Sequence, residues 1–290
     1  MTIEQLIDSG AFLPFKGGVI DSSVDTSLPL VAHNVKSLKV DVAPQQKARL
    51  VIAYTKSCQA AIEINLQQNS SLELVEVYLA DSYANISVNQ AEGSACKSLV
   101  AVLSSSNATY TYALEGQGAE NTFNALFIAS GTEHATLNLN TRHLVSDCKS
   151  ASLVKGISAG RATGEFHGLV YVAKDAQRTD AQQQNRNIEL DDSHIVALPQ
   201  LEIYADDVKA SHGATTGQLD ADALFYMRSR GIPEKEARTM LMQAFMVDVI
   251  DMVKMEGLRD RLRHLVEKRF YGQQASCGEC AATCRDTKKD

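Results

Sequence analysis

The sequence predicts a mainly β chain: a parallel β-helix of stacked coils, followed by a C-terminal α-helical domain. Three observations predict it. Short apolar runs with period-two alternation fill residues 31–208. Runs of one kind return at a near-constant interval along the chain. At residue 217 the alternation gives way to apolar spacings of three and four.

The composition bounds what such a chain does. It has 290 residues, 44% of them hydrophobic, with a net charge of −7. That is enough apolar material for one large domain or two ordinary ones. The acidic balance argues against broad binding to nucleic acid or anionic lipid. No run of about 18 apolar residues crosses a membrane. The opening stretch MTIEQLIDSGAFLPF carries acids early and lacks the basic region of a secretory signal, so the expected location is the cytoplasm. Residues 1–30 are expected to form a short segment ahead of the β-helix.

The strands come next, over residues 31–216. LELVEVYL (72–79), SLVAVL (98–103), YTYAL (110–114), ALFIA (125–129), TLNLN (136–140), GLVYVA (168–173) and LEIYA (201–205) are rich in β-branched and aromatic residues. SLVAVL, ALFIA and ASLVKGI (151–157) follow one another at about 26 residues. NISV (85–88), YTYA and TLNL interleave with them at a similar interval. Two interleaved series with one shared period describe a coiled sheet. An ordinary β-sandwich is the competing architecture, and the scarcity of Asn-Gly and Asp-Gly hairpin turns counts against it. The amide-rich DAQRTDAQQQNRNIELDD (175–192) reads as a polar rung near the end of the solenoid, where side-chain amides stack between coils.

The helical part spans 217–272. DADALFYMRSRG (220–231) offers Asp220 or Asp222 as N-cap and Gly231 as stop. In the next helix Pro233 suits the first turn, with Glu234 and Glu236 at the positive end of the helix dipole. Ala237, Leu241, Ala244, Phe245 and Val249 form one apolar row, and Met240, Val247, Ile250 and Val253 lie on neighbouring rows. A third helix carries Leu258, Leu262, Leu265 and Val266 on one side and basic residues around the rest. Residues 273–290 read as a flexible tail.

Few motifs carry chemistry. No phosphate-binding loop, dinucleotide fingerprint or HExxH is present, so nucleotide hydrolysis, and catalysis more generally, is not expected of this chain. Cys277, Cys280 and Cys284 form C-x2-C-x3-C, a spacing at which thiolates converge on zinc or an iron–sulfur cluster; an exposed cysteine-bearing tail is the bland alternative. Cys58, Cys96 and Cys148 read as buried structural thiols. Of seven histidines, His212 differs, because Gly213, Ala214 and Gly217 leave its backbone open to close approach.

The stretches FHGLVYVAKDAQRTDAQQQNRNIELDD (166–192) and PQLEIYADDVKASHGATTGQLDADALFYMRSRGIPEKEARTMLMQAF (199–245) resemble the SufB/SufD family of iron–sulfur cluster assembly proteins. LEI-ADDVK, SHGAT-G and LFY-RSRGI occur in the family's order and spacing. Gly213 directly after His212 is similar to the SufD side, where the SufB side tends to carry glutamate. The resemblance implies a right-handed β-helix followed by helices. It implies a non-catalytic scaffold subunit that pairs through its β-helix with a SufB-like paralogue or a second copy of itself. It further implies a SufC-like ATPase bound through the C-terminal helices, and a role in iron supply. The motif histidine, His212 here, is then a ligand for iron or a nascent iron–sulfur cluster at the subunit interface. Ala210 stands where the family often has cysteine, so that soft neighbour is missing.

Two other readings compete. A β-helix carbohydrate-active enzyme needs paired carboxylates, and adjacent Asp206/Asp207 or Asp191/Asp192 on a strand point to opposite faces. A metal-binding regulator would use the cysteine tail.

Overall fold

A computed structural model describes residues 11–270. Its strands run in two parallel sheets, and consecutive strands alternate between them. The first sheet takes β1 (Leu13–Pro14), β3 (Leu30–His33), β5 (Lys47–Tyr54), β7 (Ser71–Tyr78), β9 (Ala95–Val102), β11 (Glu120–Ala129), β13 (Lys149–Ser158), β15 (Thr179–Glu189) and β17 (Val208–Gly217), in that order. The second takes β2 (Gly18–Ile20), β4 (Ser37–Val42), β6 (Cys58–Leu66), β8 (Ser82–Gln90), β10 (Asn107–Leu114), β12 (His134–His143), β14 (Thr163–Val172) and β16 (His194–Ile203). This is the stacked-coil β-helix that the two interleaved series predict: SLVAVL, ALFIA and ASLVKGI share the first sheet, while NISV, YTYA and TLNL share the second. Residues 13–20 already take part, since β1 pairs with β3 and β2 with β4.

The period is not constant. Lys47, Ser71 and Ala95 are successive register partners, a coil of 24 residues. Ala95, Glu120, Lys149 and Asp180 continue the column at intervals of 25, 29 and 31. The strands lengthen from 8 residues in β5, β7 and β9 to 10 or more from β11 onward, so later coils need more chain.

The two sheets differ in how they are covered, and the sequence records it. One row of the first sheet faces the lumen (Leu50, Ile52, Leu74, Val100, Phe127), and the opposite row (Val51, Val75, Leu99, Leu126, Ile128) packs under the helices. Both faces are dry, which is why these strands read as continuous apolar runs. The second sheet turns one face outward, and β8 and β14 alternate buried with exposed or half-buried positions along their length.

Three helices follow: α1 (Ala221–Ser229), α2 (Glu234–Ile250) and α3 (Glu256–Phe270). The Asp220 carboxylate caps α1, accepting from the backbone N–H of Asp222 and Ala223. Leu258, Leu262, Leu265 and Val266 of α3 are buried together as expected. In α2 the buried stripe differs from the expected rows: Ala237, Met242, Met246, Val249 and Ile250 are buried, while Met240 and Val247 lie outside at 49% and 39% exposure. The segment MLMQAFMV is apolar almost all round, so its periodicity does not select the face that docks.

Charged ties fix the helices to the β-helix wall. Lys155 of β13 has a side chain only 5% exposed, and its ammonium donates to both Asp248 carboxylate oxygens and to the Phe245 carbonyl at 2.7 Å each. Arg269 of α3 donates to the Glu133 carboxylate and, at 3.2 Å, to the Ile128 carbonyl. No helix among the described residues is long and apolar enough to cross a membrane.

Candidate functional site

The C-terminal end of the β-helix is open. β17 and β16 close the strand orders of their sheets, and among the described residues no further coil covers them. Parity and register fix which side chains face the uncovered lumen. Ala181, Gln183, Asn185 and Asn187 of β15 are buried inside, and their ladder partners in β17 are Ala210, His212, Ala214 and Thr216. Across the lumen, Phe166 and Val170 of β14 are buried, and their partners in β16 are Ala197 and Leu201. The last coil therefore presents an inward row of small and apolar groups with one imidazole, His212, and that row meets solvent.

Everything from Ser211 to Thr216 is exposed, along with Leu198, Ile203 and Tyr204 at 48%, 38% and 60%. A Cβ at Gly213 would meet no atom within 4 Å, so packing within this chain does not demand glycine there. The amide-rich segment forms the polar rung that its composition predicts. Gln183, Asn185 and Asn187 are almost completely buried beneath the open coil, with Asn185 and Asn187 bonded to each other at 2.6 Å.

The other candidates fall elsewhere. Cys277, Cys280 and Cys284 lie outside the described residues. Cys96 and Cys148 are buried, and Cys58 is half-buried. Burial pushes the Cys96 thiol up to about 12, which makes it inert as a nucleophile. His143 is fully buried against Ser150, and burial lowers its imidazole to about 4. Asp191 and Asp192 sit in the turn before β16, and Asp206 and Asp207 in the bend before β17, so neither pair lies on a strand wall. The letters GISAG (156–160) do match the G-x-S-x-G spacing of a nucleophile elbow, a motif the sequence reading took to be absent. Ser158, however, ends β13, is fully buried, and hydrogen-bonds the Ser193 hydroxyl at 2.8 Å, with no strand–turn–helix around it.

No three His, Cys, Asp or Glu groups among the described residues are placed to hold a metal ion. The His212 imidazole is exposed and belongs to no such group.

The fold is a parallel β-helix with an uncovered last coil and a helical layer docked on one sheet. The chain belongs to the family described as SUF system FeS cluster assembly, SufBD core domain, which matches residues 30–245. Among curated proteins it is similar to the iron–sulfur cluster assembly protein SufD of Escherichia coli, 35% identical over 160 residues, 55% of this chain and 38% of the relative. A SufBD family protein of Synechocystis is 41% identical over 152 residues, 51% of this chain and 33% of the relative. SufD of Bacillus subtilis is 27% identical over 166 residues, 57% of this chain and 37% of the relative. The matched stretches thus span about a third to two-fifths of those relatives' own lengths. Within that family the chain is SufD-like, by its similarity to the two relatives that carry the name SufD.

Proposed function

We propose that this chain is a non-catalytic, cytoplasmic scaffold subunit of a Suf-type assembly complex. Its open coil pairs with a SufB-like paralogue or a second copy of itself, and its helices bind a SufC-like ATPase. Iron, or a nascent iron–sulfur cluster, is the cargo held at the β-helix interface, with His212 as one ligand. Cys277, Cys280 and Cys284 are further donors that this reading allows.

The observation that carries it is the uncovered last coil with His212 on its inward row. Two end strands with free backbone edges and a solvent-facing apolar lumen are costly to leave unpaired, and a second solenoid end or an added strand covers both. The helical layer supports the second partner. α2 and α3 frame a groove of about 370 Å³ lined by Met240, Ala244, Val247, Ile250 and Val266, with Arg263 and Glu267 at its rim. Apolar grooves between helices bind partner segments. The chain carries no phosphate-binding loop, so nucleotide-driven steps belong to a partner.

The test is co-expression with SufB-like and SufC-like chains and anaerobic purification through a tag on this chain alone. Both partners are expected to co-elute in one complex. Elution of this chain without either of them overturns the scaffold reading.

A further inference from the structure

The Gln183 amide is unexplained by the fold. It is 1% exposed, and neither its Nε2 nor its Oε1 has a hydrogen-bond partner among the described residues. A fully buried amide left unmade costs roughly 1–3 kcal/mol per polar group, so it calls for a partner. The side chain reaches across the lumen and lies against Gly168. A Cβ on that glycine would come within 2.5 Å of Gln183 Nε2 and 2.6 Å of Oε1, so only glycine leaves the amide room. Gln183 lies in the row directly beneath the open coil, and its ladder partner one rung further out is His212.

Rung-to-rung hydrogen bonds between register partners recur in this molecule. Asn65 Nδ2 donates to Asp41 Oδ1 and Asn89 Nδ2 to Asn65 Oδ1, each at 2.8 Å. Asn138 Nδ2 donates to Thr109 Oγ1 at 3.1 Å. In the same two strands as Gln183 and His212, Asn187 Nδ2 donates to Thr216 Oγ1 at 3.3 Å. Parallel strands about 4.8 Å apart place side-chain amides at the separation such a bond needs.

We propose that Gln183 is a positioning residue for His212: rotation of its amide lets Oε1 accept the ring N–H facing the rung below, which fixes one tautomer and leaves the other ring nitrogen's lone pair turned toward the interface. The inference rests on the ligand role proposed for His212, and it adds the group that orients the ligand. An imidazole whose second nitrogen is held this way is a better-ordered and more basic donor.

The test uses the full chain with 15N-labelled histidine, free of metal, and compares wild type with Gln183→Leu and Gln183→Met. Both variants remove an orphan amide and keep an apolar side chain of similar reach, so both are expected to fold; two are made so that one misfolding does not end the test. In wild type the His212 ring nitrogens are expected to report one tautomer, and in the variants a mixture of two. Unchanged His212 ring shifts in a folded variant overturn the inference. In the purified complex, Gln183→Leu is expected to weaken ferrous iron binding about 10- to 100-fold. If His212→Ala binds iron as wild type does, the ligand reading fails while the tautomer result stands. If the tautomer is indifferent to Gln183 and His212→Ala loses iron, only the present inference fails.

Discussion

Replacing Asp248 with alanine is expected to destabilise the chain by about 3 kcal/mol, the low end of what breaking a buried ion pair costs. Replacing Lys155 with methionine is expected to cost less than about 1.5 kcal/mol. The asymmetry follows from where the two charges sit. The Lys155 side chain is 5% exposed and that of Asp248 53%. Removing the carboxylate strands an ammonium under α2 with only the Phe245 carbonyl and, 4.7 Å away, the Phe245 ring. Removing the lysine leaves a carboxylate that water reaches, and a methionine fills the apolar space between β13 and α2. Chemical denaturation of both variants checks the order. Equal losses, or a larger loss for Lys155→Met, contradict it.

Glu76 lies fully buried in the lumen, in phase with Leu72, Leu74 and Tyr78 of β7. Burial raises its carboxyl from 4.5 to about 7. The Tyr78 hydroxyl donates to Oε2 at 2.9 Å and lies 3.0 Å from the Tyr110 hydroxyl, while Oε1 and the Tyr54 hydroxyl have no hydrogen-bond partner among the described residues. Below pH 4.5 both folded and unfolded chains hold this proton. Between 4.5 and about 7 only the folded chain does, so stability falls as pH rises across that window, by on the order of 3 kcal/mol. His143 works in the opposite sense: burial takes its imidazole from 6.5 to about 4, so its contribution to stability grows as pH rises over that range. Asp147, lowered from 3.8 to about 2 by hydrogen bonds from Arg178 and Gln117, titrates below the window. The difference between wild type and Glu76→Gln isolates the carboxyl. Unfolding free energies measured from pH 4.5 to 7 are expected to show wild type losing stability relative to the variant as pH rises. Parallel curves would remove the buried, protonated acid.

Much of this fold was legible because its physics is periodic. The two interleaved series of apolar runs place ALFIA and TLNLN in different sheets, and parity within LELVEVYL puts Glu76 on the same face as Tyr78. The varying coil length was hidden, since an interval of about 26 residues averages coils of 24 to 31. The docked face of α2 was also hidden, because an almost uniformly apolar helix carries no phase. Lys155 interrupts the apolar run ASLVKGI, and the Asp248 carboxylate that pairs with it lies 93 residues on, which no local pattern registers. His212 stood out through its glycine-rich neighbours and the family motif around it. Gln183 did not, because its meaning lies in a register partner 29 residues away and in the missing Cβ of Gly168 across the lumen.

The proposed hold of the open coil on iron or a nascent cluster, through His212 at a subunit interface, is tested most directly by the iron content of the anaerobically purified complex, with wild type beside His212→Ala and a Cys277/Cys280/Cys284 triple serine variant. Complexes of equal composition but greatly reduced iron in His212→Ala are the predicted result, and the triple variant reports whether the tail donates as well. Iron equal to wild type in an intact His212→Ala complex would contradict the claim.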